Sequence, residues 1–241
     1  PLEANTLSFL DSVKDHTLIV NSVEGLRKAS NKIYTAAFGE EFKDIIPTTH
    51  VSKNKEYLKR MIKESPNDKM ILKPLIGHGG SGVIILEKNA DKNINSLLDF
   101  YIDGKQESHY VILQDYVSGA EKGDVRVLML NGEAIGAMKR IPHPDDARSN
   151  VHVGGTVEKH VLTKQEKLIC QAIGPRLVKD GLYFVGLDII NGKLIEINVC
   201  APGGIARINR LNKVKLQVKV LDFVEKLVNE KEKLFNEKAS M

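Results

Sequence analysis

The sequence predicts an α+β fold built on antiparallel hairpins, and three observations carry that prediction. Apolar residues alternate at Val185, Leu187 and Ile189, and again at Ile195, Ile197 and Val199, on either side of Asn191-Gly192. Alternation with period two marks strands that lay one face on a core. A second pair, Asn131-Gly132, stands between the strand-like runs Val125–Leu130 and Glu133–Arg140, a strong hairpin signal. Thr163 followed by Glu166 forms a capping box that opens a helix running to about Lys179.

In chain order, residues 22–38 read as one short helix with Leu26, Ile33 and Ala37 inward. A strand over Thr48–Val51 and a helix over Asn54–Glu64 follow. Met70–Leu75 reads as a strand, Ile76–Gly82 as a Gly-rich turn and Val83–Leu86 as the returning strand. A helix over Ile94–Tyr101 leads to the strand Tyr110–Gln114, and Val117–Gly123 reads as a hinge. The hairpin at 125–140 runs into a polar loop over 141–157, a length that points to function or disorder. The capped helix carries Leu168, Ile169, Ala172, Ile173 and Leu177 as its inner stripe. After the hairpin at 184–199 a final helix spans about Val214–Glu232, with Leu216, Val220, Phe223, Val224 and Leu227 inward. Its Lys/Glu-rich end reads as a solvated, fraying tail.

Composition narrows the function classes. A hydrophobic share of 42% with 27% charged residues is that of a globular chain. No apolar run approaches the roughly 20 residues needed to span a bilayer. No secretory segment opens the chain, and Cys170 and Cys200 are its only cysteines, so a reducing, cytoplasmic setting is expected. The net charge of +4 is spread along the chain, aromatics make up 5% and Trp is absent. Nucleic-acid binding would call for a clustered basic stripe or a stacking platform. A basic pocket for phosphates or an anionic substrate fits better.

The hairpin at 184–199 carries the chemistry. If both odd-numbered sets face the core, Asp188, Glu196 and Asn198 share the other face. A plain two-residue Asn-Gly loop pairs Ile190 with Lys193 and sets Asp188 and Glu196 on opposite faces. A three-residue loop, Ile190-Asn191-Gly192, with Gly192 left-handed in a bulge, is therefore expected. Buried carboxylates need a partner. Mg²⁺ bridging ATP phosphates is one; a solvated polar face is the competing reading of the hairpin alone.

Other motifs are weaker by themselves. Gly77-His78-Gly79-Gly80-Ser81-Gly82 brings backbone N–H groups within reach of phosphate oxygens, although no Lys-Ser/Thr follows as in a Walker A loop. Lys73 lies in an apolar strand and needs an anion or an exit to solvent; an edge-strand Lys is the alternative. Arg126, Arg140 and Arg148 are candidate clamps for carboxylate or phosphate, though each taken alone reads more readily as a surface Arg. His143 and His152 lack metal-ligand spacing. Cys170 reads as a core residue and Cys200 as a small packing residue rather than a nucleophile.

These pieces stand in a telling order: Asn31-Lys32; Ile71-Leu72-Lys73-Pro74-Leu75 with Gly77-x-Gly79-Gly80; Gln114-Asp115-Tyr116; Gly123-Asp124-x-Arg126; Arg140-Ile141-Pro142; Arg148-x-Asn150 with Gly154-Gly155; Phe184 to Ile190; and Glu196-Ile197-Asn198-Val199. The order resembles the bacterial glutathione synthetases of the ATP-grasp superfamily over essentially the whole chain. The resemblance implies an ATP-grasp fold, with ATP gripped between two antiparallel sheets. It makes residues 29–117 the lid subdomain and 118–235 the catalytic subdomain, with 1–28 a remnant of an N-terminal domain or linker and 236–241 a tail.

The resemblance also implies roles. Lys32, Lys73, Gly79, Gly80, Asp124 and the Gln114, Asp115, Tyr116, Val117 segment bind ATP. Asp188, Glu196 and Asn198 hold Mg²⁺, or Mn²⁺ in its place. Arg126, Arg140, Arg148, Asn150, Gly154, Gly155, Ala201, Pro202 and Gly203 meet the substrates, with Arg140, Lys73 and Arg126 as the catalytic groups. The implied reaction joins γ-glutamylcysteine and glycine through an acyl phosphate at the cost of ATP, with the loop at 141–157 as a lid. Neither nucleic acid nor membrane is an expected partner; a homo-oligomer or a separate N-terminal chain is. Two departures stand out. The family's N-terminal domain is mostly missing from a chain that starts at Pro1, and Cys200-Ala201-Pro202-Gly203-Gly204 replaces the family's Thr-Ser-Pro-Thr. A peptide or amino-acid ligase of other specificity and a non-catalytic nucleotide-binding module are the alternatives.

Overall fold

Two antiparallel sheets organise the chain, which the computed structural model describes over residues 4–77, 80–103, 109–143 and 155–239. Helices α1 (Ala4–Val13), α2 (Val23–Ala29) and α3 (Ile33–Ala36) come first. Then come β1 (Thr49–Ser52), α4 (Lys55–Glu64), β2 (Lys69–Pro74), β3 (Ile84–Glu87), α5 (Asp91–Ile102) and β4 (Val111–Asp115). The second half holds β5 (Asp124–Leu130), β6 (Glu133–Ile141), β7 (Thr156–Lys159), α6 (Lys164–Lys179), β8 (Phe184–Ile190), β9 (Lys193–Asn198), α7 (Ile205–Asn212) and α8 (Leu216–Ala239). The four-stranded sheet runs β1-β4-β2-β3 and the five-stranded sheet β7-β6-β5-β8-β9. No helix of the described residues is long and apolar enough to cross a membrane.

The smaller sheet buries one face under α4 and α5. Leu58, Ile62, Ile94, Leu98 and Ile102 pack there on Met70, Leu72, Leu86, Val111 and Leu113. By alternation Thr49, Ile71, Lys73, Ile112 and Gln114 lie on its other face. The larger sheet lays Val125, Val127, Met129, Val185, Leu187, Ile189 and Ile197 on a core completed by α6 and by residues from α1 to α3. Its other face carries Leu128 and Met138 against Ile208 of α7 and Leu216 of α8.

The turn of the β8–β9 hairpin differs from the expectation. Asn191 and Gly192 form a two-residue loop, both with positive φ (43° and 72°), and Ile190 pairs with Lys193. The register then shifts: Ile189 pairs with Leu194 but Asp188 pairs with Glu196. The extra residue of the bulge is thus Ile195 in the returning strand, not a loop residue. Leu194 takes the core position and Ile195 is only half-buried. The β5–β6 hairpin does the same, with Asn131-Gly132 at its turn and a shift that puts Leu128 opposite Gly136.

Helical readings also change in detail. Residues 22–38 break into two helices because the Asn31 side chain accepts from the Ile33 N–H at 2.9 Å and restarts the chain. On α6 the capping box forms as expected, and it buries Glu166. Ile169, Cys170, Ile173 and Leu177 share that buried face. Leu168 and Ala172, expected inward, are exposed, because they lie about 200° around the helix from Glu166 and Cys170. Helices α1 and α7 and strand β7 carry no expectation from the sequence. Helix α8 extends to Ala239 where a fraying tail was expected, with Val218 and Leu221 exposed.

Asp180, at the end of α6, ties the N-terminal helices to this core. It accepts from Lys28 at 2.6 Å, from the Tyr34 hydroxyl at 2.8 Å and from Arg176 Nε at 2.8 Å. Burial opposes its ionisation, but these three donors outweigh burial and hold the carboxyl at about 2. The folded-state value lies below the ordinary carboxylate value of 3.8, so the contribution is complete above about pH 4 and is lost as pH falls toward 2. Asp180→Asn is expected to cost about 2 kcal/mol at pH 7 and to flatten the stability profile below pH 4. Urea unfolding at a series of pH values checks this; equal acid sensitivity in the variant would refute it.

Candidate active site

Three buried charged groups occupy the face of the large sheet opposite its core: Arg126, Arg140 and Asp188, each less than a tenth exposed. Strand pairing brings them together, since Arg126 lies opposite Asp188 and Asp124 opposite Arg140. Arg126 donates from Nε and Nη2 to the two oxygens of Asp188, and from Nη1 to the Gly203 carbonyl at 3.2 Å. Arg140 forks onto Asp124 at 2.6 and 2.7 Å and reaches Asp188 Oδ1 at 3.0 Å. Two guanidiniums and two carboxylates so balance one another, which burial demands. Burial resists ionisation of Asp188, but Arg126 and Arg140 hold its carboxyl below the usual range. Burial and the Asp188 charge push the Asp124 carboxyl up.

Gly123, just before β5, is what lets Arg140 approach. Its φ is +93°, and a Cβ there would stand 1.9 Å from the Arg140 carbonyl oxygen. Only glycine fits both constraints.

Asp188, Glu196 and Asn198 share one face of β8 and β9, as the metal reading requires. Asn198 Nδ2 donates to Asp188 Oδ2 at 3.1 Å. The Glu196 side chain is 32% exposed, with Lys32 Nζ 3.6 Å away. Among the described residues no cluster of three or more His, Cys, Asp and Glu side chains could hold a metal. The donor set here is instead two carboxylates and an amide. Each can present a hard oxygen donor, the ligand type that Mg²⁺ takes.

The small sheet and the residue ahead of α3 contribute the cations, Lys73 and Lys32. Lys73 is 6% exposed and sits in β2, an inner strand, so the edge-strand alternative is excluded. Its Nζ donates to Gln114 Oε1 at 2.9 Å. Burial pushes the ammonium down to about 8, Glu196 and Asp188 draw it up and Lys32 presses it down. Lys73 of one sheet thus feels the acidic residues of the other. Lys32 donates to the Gly77 carbonyl at 2.6 Å, fastening the Gly-rich turn.

The remaining sequence candidates divide. Asp115, Tyr116 and Val117 leave β4 half-buried, with the Asp115 N–H donating to Thr48 at 2.9 Å and the Tyr116 hydroxyl to Glu121 at 3.3 Å. Gly80 accepts from the Val83 N–H at 3.2 Å in the turn, and Gly155 is buried ahead of β7. Pro202 is half-buried and Ala201 and Gly203 are exposed beyond β9. Gly79, Arg148, Asn150 and Gly154, and most of the loop at 141–157, lie outside the described residues. Cys200 is exposed, correcting its reading as a packing residue, because the chain leaves the sheet at Val199; Cys170 is buried, and burial pushes its thiol up to about 12. Two supporting residues were not among the expected site residues. Asn21 is buried and bonds the Phe184 N–H and carbonyl and the Val199 carbonyl, clasping the outer ends of β8 and β9. Thr49 accepts from Gln114 Nε2 at 2.8 Å.

The family described as "Prokaryotic glutathione synthetase, ATP-grasp domain" matches residues 31–213. The chain is 40% identical over 205 residues to the glutathione synthetase of Thermosynechococcus vestitus, covering 85% of this chain and 62% of that protein. It is 41% identical over 214 residues to the glutathione synthetase of Synechococcus elongatus, covering 89% of this chain and 64% of that one. The chain therefore spans less than two thirds of the length of these relatives. Among solved structures, the D-cycloserine synthetase DcsG matches with a TM-score of 0.67 at 17% identity, over 83% of this chain and 71% of that one. That likeness concerns the fold alone.

Proposed function

The chain belongs to the prokaryotic glutathione synthetase family and has the ATP-grasp fold, and from that premise we propose that it is an ATP-dependent carboxylate–amine ligase joining γ-glutamylcysteine to glycine. What supports this reading above all is that Lys32 Nζ comes within 3.6 Å of Glu196, while Lys73 feels the charges of Glu196 and Asp188 from the other sheet. In this reading residues 29–117 act as the lid and 118–235 as the catalytic part.

The dipeptide carboxylate attacks the γ-phosphorus of ATP, ADP leaves and an acyl phosphate forms. The amine of glycine then attacks the acyl carbon, gives up a proton and expels phosphate. Such transfers need positioning and charge neutralisation more than covalent help from a side chain. Lys32 and Lys73 offset the phosphate charge, and the Gln114–Val117 segment seats the base. Arg126 and Arg140, already held in place by Asp188 and Asp124, present preorganised N–H groups to the acyl phosphate. Asp188, Glu196 and Asn198 would hold Mg²⁺, which supplies positive charge to the phosphates when bound.

Phosphate release from ATP, screened with γ-glutamylcysteine plus glycine and with other donor–acceptor pairs, tests this. Release with the dipeptide and glycine alone supports it; release with no pair sinks it. One observation favours a second reading, a ligase with a larger acceptor. A Cβ on Gly203, beside Arg126, would meet nothing within 4 Å, so that side of the site has open space. Release with a bulkier amine in place of glycine would select that reading.

A further inference from the structure

A directional relay of hydrogen bonds crosses the small sheet on the face that carries Lys73. The Thr49 hydroxyl donates to the Pro47 carbonyl at 2.7 Å. Gln114 Nε2 donates to Thr49 Oγ1 at 2.8 Å, and Lys73 Nζ donates to Gln114 Oε1 at 2.9 Å. Strand pairing supplies the positions: Thr49 stands opposite Gln114 across β1 and β4, and Lys73 opposite Ile112 on the other side of β4.

The polarity of this relay has two sources, the committed proton of Thr49 and the donor-only ammonium of Lys73. A hydroxyl has a single proton, and Thr49 commits it to Pro47. Toward Gln114 it can then only accept, so Gln114 must turn its NH₂ to Thr49 and its oxygen to Lys73. Gln114 is 4% exposed, so no solvent stands ready to replace either bond. Turned the other way, its amide would set N–H groups against an ammonium.

We infer that Thr49 is a positioning residue for nucleotide binding, which fixes the Gln114 amide so that Lys73 is anchored by one N–H and keeps its others for the cleft. The inference deepens the reading that Lys73 contacts ATP phosphates and rests on it. Thr49 itself touches neither nucleotide nor substrate.

The test is the affinity for ATP, read by displacement of a fluorescent ATP analogue, on the chain as it stands. Thr49→Val keeps the shape and removes the acceptor; it is expected to weaken ATP binding about tenfold, the effect of one misdirected buried hydrogen bond. Thr49→Ser restores the hydroxyl and should bind within about twofold of the parent. In a Gln114→Leu background the relay is already cut, so Thr49→Val should change affinity by less than about twofold. Should Thr49→Val fail to fold by circular dichroism, Thr49→Ala takes its place in the same comparison. Parental affinity in the valine variant overturns the inference and leaves the ligase reading standing. A full tenfold loss in the Gln114→Leu background also overturns it, since a general packing role would act without Gln114. A parent chain that binds no ATP overturns the ligase reading and the inference together.

Discussion

Glu196→Ala is expected to lower Mg²⁺-dependent ATP turnover by about 10³-fold or more, while stability stays within about 0.5 kcal/mol of the parent. The two halves of that expectation have separate grounds. The Glu196 side chain is 32% exposed and its ion pair with Lys32 is loose at 3.6 Å, so its removal leaves no buried charge unpaired. Its place opposite Asp188, with Asn198 two residues further on the same strand, is what would give it a part in holding the cation under the proposed reading. Losing one carboxylate of a small hard-donor set removes charge where transferring phosphate needs it most. Phosphate release with and without Mg²⁺, beside urea unfolding of both chains, checks the two halves. Undiminished turnover would refute the metal assignment.

Asp188→Ala is expected to lose turnover and also about 3–5 kcal/mol of stability, the cost of stripping one partner from a buried ion pair. The contrast with Glu196 is instructive because the two residues face each other across two strands. Asp188 is 7% exposed and accepts from both Arg126 and Arg140. Arg140 keeps its fork on Asp124 in the variant, whereas Arg126 keeps only the Gly203 carbonyl. The penalty therefore falls mainly on Arg126, left as a buried cation without a counter-charge. The double variant Asp188→Ala with Arg126→Met should recover a good part of the stability and none of the turnover. Urea unfolding measures it; a loss below about 1 kcal/mol for the single variant would show that the guanidiniums find other partners.

The two Asn-Gly hairpins were legible because turn chemistry and alternation are local. Asn191 and Gly192 adopt the left-handed conformations that their residue types favour. The capping box of α6 was legible for the same reason, since its two bonds span three residues. The bulge at Ile195 was not. Alternation required that Asp188 and Glu196 share a face, but whether the extra residue sits in the loop or in the strand depends on which residue the core accepts. The core accepts Leu194, fully buried against the α6 side of the sheet, and Ile195 is displaced. The inner stripe of α8 was legible too, since Leu216 is buried and Val220, Phe223, Val224 and Leu227 are half-buried, while Val218 and Leu221, outside that stripe, are exposed.

Residue order alone determined the family and the face shared by Asp188, Glu196 and Asn198, because these depend on motifs and on the two-residue period of a strand. Tertiary structure alone decided what those charges do for one another. It turned Arg126 and Arg140, each readable from sequence as a surface residue, into buried partners of Asp188 and Asp124. It set Lys73 in an inner strand and aligned Thr49 and Gln114 behind it, from positions 49, 73 and 114. The physical reason is that burial and pairing are properties of neighbours brought from distant parts of the chain, and charge acquires a role only when the solvent around it is replaced by those neighbours.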